Sequence, residues 1–595
     1  MKLLVPYVGE LQPVDRRLIR LAEFLGIDYL PVPLAKPLGE WEEHLKREVP
    51  LRGSCFVVNP RVLQGWVGGD RLPANLASFL VAHFPHLLVH APRPEPFDNS
   101  VIDALSCGCL QAVQGIERSD QSYEVLPDSR DVCEAFAGLS FGSTNISNDH
   151  VFSAGHGDTE VRKLISIAGR PFMASMGREK CKIWFLAGQE VADLNAQVGD
   201  APISEYFSRL LPHAMALRSI FGEESWHPRE QHASVIIDDP LLRRDYGSLN
   251  FEVLLALMKQ HNFHSTIAFI PHNFRRSSPR ITRMFRENAG HFALCFHGND
   301  HTGAEFASTD TALLNTLLQI AEHRMELHRK ITGVGCDRVM VFPQGNFSVE
   351  AMAVLKCRNF DGAVNTIPHP MHKAISLTLG EIAQPAVLRY GGFPLFLRRD
   401  SIHTQSADIA FNCFFGKPVL VVEHHSVFQH PELLVEVAAR INKVAPNIRW
   451  SNVGTMLRNS VLWKRAPDGV HHIRAYSRAV QVTNDSESAK RCSIEWNQSV
   501  QLEGMGEQVL RDGIPCMDFS ADAAGIRLSV DLPAGSLQTF SVVHQNPHRD
   551  LGDLGFRYKA KAFVRRRLSE VRDNYLSKSP RVLAVAKTLK RCLPQ

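Results

Sequence analysis

The sequence lacks the features that define several large classes of protein. No apolar run approaches the 18 or more residues that a membrane-spanning helix needs, and residues 1–6 read as a first strand rather than as a signal peptide. The 12 cysteines are scattered and include no Cys-x-x-Cys pair, which argues against a disulfide framework and favours a reducing compartment. Glycine-rich nucleotide-binding motifs are also missing. These absences predict a cytoplasmic protein and leave a peripheral membrane contact open.

Length and composition indicate several globular regions. At 595 residues the chain exceeds what one hydrophobic core supports, and its 44% hydrophobic and 22% charged residues are ordinary for soluble proteins. The formal net charge of +4 names no partner. Short strand and helix patterns predict four parts. These are an N-terminal α/β domain with a parallel sheet at 1–230, a (β/α) barrel at 231–460, a small β-sandwich at 461–548 and a basic helical tail at 549–595.

The region 231–460 alternates apolar strands with amphipathic helices, which is the pattern of a (β/α) barrel with fewer than eight regular strands. Barrels of this kind collect their chemistry at the carboxyl ends of the strands. Several residues with reactive or loop-forming side chains directly follow predicted strands: Asp238, Asp239, His297, Pro343 and His424. We therefore predict that these residues lie together at one rim of the barrel.

Two of these motifs together suggest a metal site. The adjacent carboxylates of Asp238 and Asp239 repel each other unless a positive group lies beside them. His297 and His301 are four residues apart, which would place both imidazoles on one face of a helical turn within reach of one ion. Two histidines and one carboxylate leave coordination positions open for water and substrate. Nitrogen and oxygen ligands suit zinc, the ion we expect, and also iron, cobalt, nickel or manganese.

The order of these motifs resembles the polysaccharide deacetylase family, metal-dependent carbohydrate esterases with a distorted β/α barrel. That family has an Asp-Asp pair after a strand, then His-x-x-x-His, a proline loop and a late strand ending in Leu-x-His, and the resemblance covers 231–460. It implies that Asp238 is the general base and Asp239 the metal-binding aspartate. It also implies that His297 and His301 are the two histidine ligands of a divalent metal.

The later motifs match the family more loosely. The resemblance implies that Pro343, Gln344 and Gly345 form a loop that builds the active-site wall and the oxyanion hole. It also implies that His424 is the catalytic acid, with His425 as the other choice because both can be fitted to the motif.

Two departures from the family pattern concern the surroundings of the base. Pro240 stands where the family has glycine after the aspartates, and the arginine that usually precedes the proline loop is absent. In the family this arginine orients the base. We expect that Arg389, Arg398 or Arg399 replaces it in space, or that the base is tuned differently.

The implied activity is metal-assisted removal of an acyl group, such as acetyl, from a sugar or a polysaccharide precursor. One alternative is a catalytically weak or inactive relative that binds carbohydrate or assists polysaccharide assembly. Another is a glycosidase on the related barrel, which would need a pair of carboxylates across the sugar. Glu423 is the nearby carboxylate that could serve in such a pair.

The C-terminal regions carry weaker signals. In the predicted sandwich Trp496 is a lone candidate for glycan binding, and we expect the module to pack against the barrel instead. Between 557 and 591 there are twelve lysines and arginines but only two acids, Glu570 and Asp573. Apolar residues in the same stretch would give a helix here an apolar side. The tail is either a solvated helix pair or a helix that binds an anionic membrane surface or an acidic partner. No recognition module accompanies the charge, so nucleic acid is not expected.

Overall fold

The computed structural model contains a mixed sheet, a parallel barrel, a pair of antiparallel sheets and a C-terminal helix. It describes residues 1–34, 53–116, 121–143, 146–157, 160–199, 203–373, 375–497, 507–522, 525–544 and 552–576. None of the helices within these ranges is both long and apolar enough to cross a bilayer.

The N-terminal sheet has nine strands, and its strands are parallel over one half and antiparallel over the other. In spatial order they are Tyr29–Pro33, Lys2–Tyr7, Ser54–Val58, His86–Val89, Cys181–Leu186, Arg170–Arg178, Arg162–Ile167, Tyr123–Val125 and Ser140–Phe141. The first five are parallel to one another, and the remaining pairings are antiparallel. The expected parallel sheet is therefore found in one half only, because short turns such as that after Arg178 connect antiparallel neighbours without a crossover helix.

Six helices of this region are described. They are Pro13–Phe24, Pro60–Val67, Ala74–His83, Pro96–Ser106, Arg130–Cys133 and Phe207–Phe221. Three of them begin at a proline, which suits the first helical turn because its N–H would have no partner there. A two-stranded ribbon, Leu110–Gly115 with His150–Ala154, lies beside them.

The barrel predicted for 231–460 is confirmed, and all its strands are parallel. The strands are His232–Asp238, Ser265–Phe269, Phe292–His297, Asp337–Val341, Gly362–Asn365, Leu395–Leu397, Arg399–Asp400 and Val419–His424. A short ninth strand, Arg449–Trp450, pairs with the start of the first.

The segment 395–400 closes the circle of the barrel. Its first part, Leu395–Leu397, pairs with the strand Gly362–Asn365, whereas its second part, Arg399–Asp400, pairs with Val419–His424. Arg398 lies at the point where the segment passes from one neighbour to the other. The barrel is thus distorted at this residue.

In the described part of 231–460 eight helices pack on the barrel, the last of them against its interior cluster, and polar side chains cap several of them. The helices are Phe251–His261, Pro279–Glu287, Thr311–Thr332, Val349–Cys357, Leu379–Ala383, Ser406–Phe414, Glu432–Val444 and Val453–Arg458. Asn250, Asp310 and Ser348 accept hydrogen bonds from backbone N–H groups of the first helical turns, which otherwise have no acceptor.

Side-chain alternation in the first barrel strand decides which groups face the barrel axis. Ile236 belongs to the cluster inside the barrel, whereas Val235 and Ile237 pack outward in the larger core shared with the helices. Because strand side chains alternate, Asp238 faces inward like Ile236. The larger core runs without a break from the N-terminal sheet into the barrel, so packing marks no boundary at 230 and the predicted domain limits stay predictions.

Two sheets, antiparallel except for one strand pair, follow the barrel and enclose a separate hydrophobic core. One contains Val461–Arg465, His471–Ala475, Lys490–Trp496, Gly525–Leu532 and Phe519–Asp522, and the other Ala479–Asn484, Ser536–His544, Glu507–Arg511 and Ile514–Pro515. The strands His471–Ala475 and Lys490–Trp496 are parallel neighbours within the first sheet. Trp496 is fully buried in this core, and its indole N–H donates to the Ser477 carbonyl (3.1 Å). It therefore offers no surface to a glycan.

The described part of the basic tail is the C-terminal helix, Gly555–Val571, followed by a π-helical turn, Arg572–Leu576. This helix lies across the mouth of the barrel. The second helix predicted for the tail falls at 577–595, outside the described residues.

Candidate metal centre

The two aspartates take different directions at the end of the strand His232–Asp238. Asp238 is buried and faces the barrel axis, as the strand alternation requires. Asp239 has a φ of 81°, a left-handed conformation that aspartate tolerates better than most residues. This turn directs its carboxylate away from that of Asp238 and towards the loop that follows His297.

His297 and His301 do not lie on a helical turn, and the helical prediction was wrong. His297 is the last residue of the strand Phe292–His297, and His301 lies in the following loop with a φ of 56°. Gly298 turns the chain with a φ of 64°, and a Cβ there would collide with the side chains of Glu305 and Pro343. The tight turn, rather than helical periodicity, brings the two imidazoles together.

Asp239, His297 and His301 converge on one point. The Oδ1 atom of Asp239 lies 3.4 Å from the Nε2 of His297 and 3.3 Å from that of His301. One ligand atom from each residue lies within 4.8 Å of the others, and within the described ranges these residues form the sole cluster of this kind. The predicted spatial convergence of the three groups is therefore present.

The donor set fits a divalent metal. The Oδ1 of Asp239 is buried and accepts no hydrogen bond from any described residue, so its lone pairs are available. The Nδ1–H of His297 donates to the Val341 carbonyl (3.0 Å), which leaves the Nε2 lone pair aimed at Asp239 and His301. A carboxylate and two imidazoles prepared in this way match zinc and similar ions.

The protonation states of these three side chains also favour the binding of a metal ion. Burial lowers the pKa of His301 to about 4, so its imidazole is neutral near pH 7. Burial would raise the pKa of Asp239, but the imidazoles of His297 and His301 and the charge of Arg566 outweigh it and hold the pKa well below the usual range. Burial lowers the pKa of His297, whereas the charges of Asp238 and Asp239 raise it overall. A bound cation would replace the proton that these carboxylates attract to His297.

Glu305 shapes the loop that carries His301, and the sequence analysis missed it. Its Oε1 accepts from the backbone N–H groups of Asn299 (2.7 Å) and His301 (3.1 Å), and its Oε2 from that of Asp300 (3.3 Å). Burial raises the pKa of this carboxyl despite these hydrogen bonds. The sequence signal that could have identified it is an acid four residues after the second histidine, because one carboxylate can accept from several consecutive N–H groups of a loop.

Arg398 occupies the place expected for the missing arginine. Its Nη1 and Nη2 donate to the two carboxylate oxygens of Asp238, at 2.8 and 2.6 Å, and both side chains are buried. The other two candidates are committed elsewhere, Arg389 to Glu381 and Arg399 to Asp408. Burial would raise the pKa of Asp238, but the charges of Arg398 and His297 lower it, so its carboxylate is ionised.

His424 and His425 have distinct surroundings. His424 is exposed, and the strand register places it directly beside Asp238, so that both side chains face the barrel mouth. His425 is buried, packs edge-on against Tyr246 and lies 3.7 Å from Asp573. The arrangement therefore favours His424 as the residue that could reach a substrate.

The proline loop lies against the loop that follows His297. One of its two predicted oxyanion-hole donors is already hydrogen-bonded within the loop. Pro343–Gly345 forms a short 3₁₀ turn in which Gln344 has a φ of 59°. The N–H of Gly345 donates to the Phe342 carbonyl (3.1 Å), so it is not available to an oxyanion. Asn365 holds the loop by donating to the Gly345 carbonyl (2.8 Å). The backbone N–H of Gln344 therefore remains as the donor predicted for the oxyanion hole.

The C-terminal helix covers the metal side of the mouth. Tyr558 and Thr302, the neighbour of His301, form a hydrogen bond between their hydroxyls (3.0 Å). Beyond the other end of the helix, Tyr246 donates to Asp573 (2.8 Å). Between these anchors Arg566 is 2% exposed, and its Nε has no hydrogen-bond acceptor among the described residues. Its charge acts on Asp239 and His301.

Fold and site together define a parallel barrel with a candidate metal centre at the carboxyl ends of its strands. No family model matches the chain, and no curated protein matches it significantly. Among solved structures, the carbohydrate deacetylase Agd3 is similar at 10% identity with a TM-score of 0.49, over 91% of this chain and 98% of Agd3.

Two further solved structures are similar to a smaller share of the chain. A family 4 carbohydrate esterase from Streptomyces lividans, in complex with acetate, shows 12% identity and a TM-score of 0.24, over 38% of this chain and 94% of its own. Peptidoglycan deacetylase PdaC from Bacillus subtilis shows 12% identity and a TM-score of 0.23, over 39% and 92%. These structural neighbours are carbohydrate and polysaccharide deacetylases, as the resemblance predicted. Likeness at this level assigns no activity, which must be argued from the site.

Proposed function

We propose that this protein is a metal-dependent hydrolase that removes an acyl group, such as acetyl, from a sugar or a polysaccharide precursor. The observation that carries the proposal is the convergence of Asp239, His297 and His301 beside the ionised Asp238. A metal-ligand set and a separate buried carboxylate are the two components that hydrolysis of an acyl group by activated water requires.

Each of these residues has its own role in the proposed reaction. When bound by Asp239, His297 and His301, a divalent ion, with zinc as the first to test, supplies Lewis acidity and an acidified water. Asp238 takes the proton of the attacking water, and its ion pair with Arg398 keeps the carboxylate charged and oriented.

The remaining two groups act on the acyl oxygen and on the leaving group. The backbone N–H of Gln344 stabilises the negative charge that develops on the acyl oxygen. His424 gives a proton to the departing amine or alcohol from the position beside Asp238.

The glycosidase alternative has less support. Glu423, its candidate carboxylate, accepts hydrogen bonds from both the backbone N–H and the hydroxyl of Ser401. Strand alternation also turns Glu423 away from the side that Asp238 and His424 share. A glycosidase needs two carboxyl groups on either side of one glycosidic bond.

Acetate release tests the proposal. The full-length protein is incubated with acetylated chitin oligosaccharides, acetylated xylan and peptidoglycan fragments, and acetate is measured with and without a chelator. Bound metal is measured in the same preparations. We expect release that stops with the chelator and returns with zinc. The Asp239→Asn variant should lose both metal and release, whereas His430→Ala, which removes an exposed histidine paired with Glu432, should lose neither.

The inactive alternative gives a different result. A carbohydrate-binding relative would bind these glycans without releasing acetate, whatever its metal content. Absence of both metal binding and acetate release in the intact protein would overturn the proposed function. The cytoplasmic location stays a prediction.

A further inference from the structure

The C-terminal helix turns its polar side to the protein. The residues that reach the barrel mouth are charged or hydroxylated: Tyr558 bonds to Thr302, and Glu570 forms a bidentate ion pair with Arg276. The following turn continues these contacts, since Asn574 accepts from the Gly247 N–H (2.9 Å). Arg566 and Ala562 are the buried residues of the helix itself. A surface helix normally buries its apolar side, and this one does not.

The outward side of the helix is apolar. Phe556 is 85% exposed, Leu568 65% and Phe563 54%, and Val564 and Val571 are exposed in the same way. At 100° per residue these five side chains fall within an arc of about 140° opposite the buried Ala562, and Glu570, seven residues after Phe563, lies at the edge of this arc. They account for five of the thirteen large hydrophobic residues that are exposed in the described structure. An apolar stripe of this length on one helix marks an interaction surface.

Basic residues lie among and beside these apolar side chains. The helix carries six lysines and arginines and one acid, Glu570. Arg557 and Arg567 lie within the apolar arc and Lys561 at its border, and the exposed Arg557 and Lys561 form no ion pair with any described residue. A helix that exposes aromatic and aliphatic residues together with cations has the chemistry of a helix that lies in the interface of an anionic bilayer.

We propose that the outward face of the C-terminal helix, made of Phe556, Phe563, Val564, Leu568 and Val571, docks on an anionic lipid bilayer. The apolar side chains enter the boundary between headgroups and acyl chains, while Arg557 and Lys561 contact the anionic headgroups. Charge complementarity favours this occupant over a second copy of the chain, because two such helices would bring their cations together. The inward side of the same helix would then hold the metal side of the barrel mouth against the membrane surface.

Vesicle binding tests the proposal independently of any hydrolase activity. The full-length protein is sedimented with vesicles of phosphatidylcholine alone or mixed with phosphatidylglycerol. We expect binding to the mixed vesicles, weak binding to the neutral ones, and loss of binding in high salt because the lipid charge is screened. The proposed function could fail while this result stands, and the reverse also holds.

Matched variants locate the binding surface. Phe563→Glu with Leu568→Glu should lower the partition into anionic vesicles at least tenfold, and Arg557→Gln with Lys561→Gln should lower it about fivefold for each charge removed. The control is Ile331→Glu, which changes a residue 61% exposed on the helix Thr311–Thr332 and should bind like the unaltered protein. Thermal unfolding of each variant checks that its fold is intact.

Five results would overturn the proposal. The unaltered protein could fail to bind anionic vesicles, or it could bind neutral ones equally well. The Phe563→Glu and Leu568→Glu variant, folded normally, could bind as well as the control. The same variant could instead dissociate a dimer in analytical ultracentrifugation, which would make a second copy the occupant. Finally, binding that appears only after residues 577–595 are deleted would mean that the chain's own end covers this face.

Discussion

Two regions of the molecule bring aspartate and histidine together near the ends of parallel strands, and only one of them is prepared for a metal. Beside the N-terminal sheet, Asp15 of the helix Pro13–Phe24 accepts from the Asn59 amide, which lies 3.0 Å from both carboxylate oxygens, and from His90 Nε2 (2.9 Å). All three side chains are almost completely buried. At the barrel mouth, Asp239 faces two histidines, its Oδ1 lacks a donor among the described residues, and its side chain is 15% exposed.

The difference shows what separates a structural cluster from a candidate metal site. Asn59 supplies a neutral donor that satisfies the Asp15 carboxylate, and complete burial closes the route to solvent. The barrel offers Asp239 no such donor and leaves an opening. Ligand types at strand ends are therefore insufficient, since a cation also needs unsatisfied lone pairs that converge and a path to reach them.

The largest difference between the two clusters should appear in metal binding when one histidine is removed from each. His297→Ala or His301→Ala should lose the metal and the acetate release together, because two ligands cannot hold a catalytic ion. The loss in affinity should exceed the roughly 10–100-fold that removal of an outer partner produces. His90→Ala should keep its metal content and lose only folding stability. Metal analysis after dialysis and thermal unfolding measure the two effects, and full metal retention by His297→Ala would refute the site.

The next largest effect distinguishes the role of Asp238 as the base from that of Asp239 as a metal ligand. Asp238→Asn should lower acetate release by about 10²–10⁴-fold while the metal stays bound, because the base is lost and the ligands are not. The buried Arg398 then lacks its carboxylate, so the variant should also lose about 3–5 kcal/mol of unfolding free energy. Metal analysis, acetate release and denaturant unfolding test this division. Loss of the metal in Asp238→Asn would contradict it.

A smaller effect concerns the supports of each cluster. Glu305→Gln should weaken metal binding about 10–100-fold, since the amide cannot accept from all the loop N–H groups and His301 loses its position. Asn59→Ala leaves Asp15 short of a donor and should cost about 1–3 kcal/mol of stability without changing metal affinity. Titration with zinc and a competing chelator measures the first, and denaturant unfolding the second. Equal zinc affinity for Glu305→Gln and the unaltered protein would remove Glu305 from the site.

The effect of pH is gradual. In the ion-free site the nearby carboxylates outweigh burial and raise the pKa of His297, whereas burial lowers that of His301 to about 4. Metal affinity should therefore fall as the pH drops from neutrality and His297 takes a proton, by up to about tenfold per pH unit, and more steeply below 4, where His301 also takes a proton. Equilibrium dialysis across this range measures it. An affinity that does not change between pH 7 and 5 would be inconsistent with His297 as a ligand.

In the N-terminal region the same fall in pH should lower the free energy of unfolding and not a metal affinity. Burial lowers the pKa of His213, whose ring lies 5.9 Å from that of His90, from 6.5 to about 3. Between these values the unfolded chain binds more protons than the folded one, so this group's contribution is present above pH 6.5 and is lost as the pH falls towards 3. The slope is about 1.4 kcal/mol per pH unit. Denaturant unfolding at several pH values, compared with a His213→Leu variant, isolates the contribution.

Much of the fold could be read from local pattern. Strand and helix periodicity in 231–460 identified the barrel, and the strand ends located Asp238, Asp239, His297 and His424 at one rim, because parallel strands in a barrel finish at the same edge. The helical turn expected for His297 and His301 was wrong, since spacing in sequence does not reveal that Gly298 and His301 adopt positive φ. Zinc and the catalytic roles stay predictions.

The sequence by itself determined the order of strands and helices and the acids and imidazoles at the strand ends, since these depend on neighbouring residues. Tertiary structure alone decided which of three arginines meets Asp238, because Arg398 is 160 residues away and reaches it only where the segment 395–400 closes the barrel. It also decided that the C-terminal helix, more than 300 residues from Asp239, lies across the mouth with its apolar side outward. Contacts between such distant segments arise from the packing of the whole chain, and no local pattern encodes them.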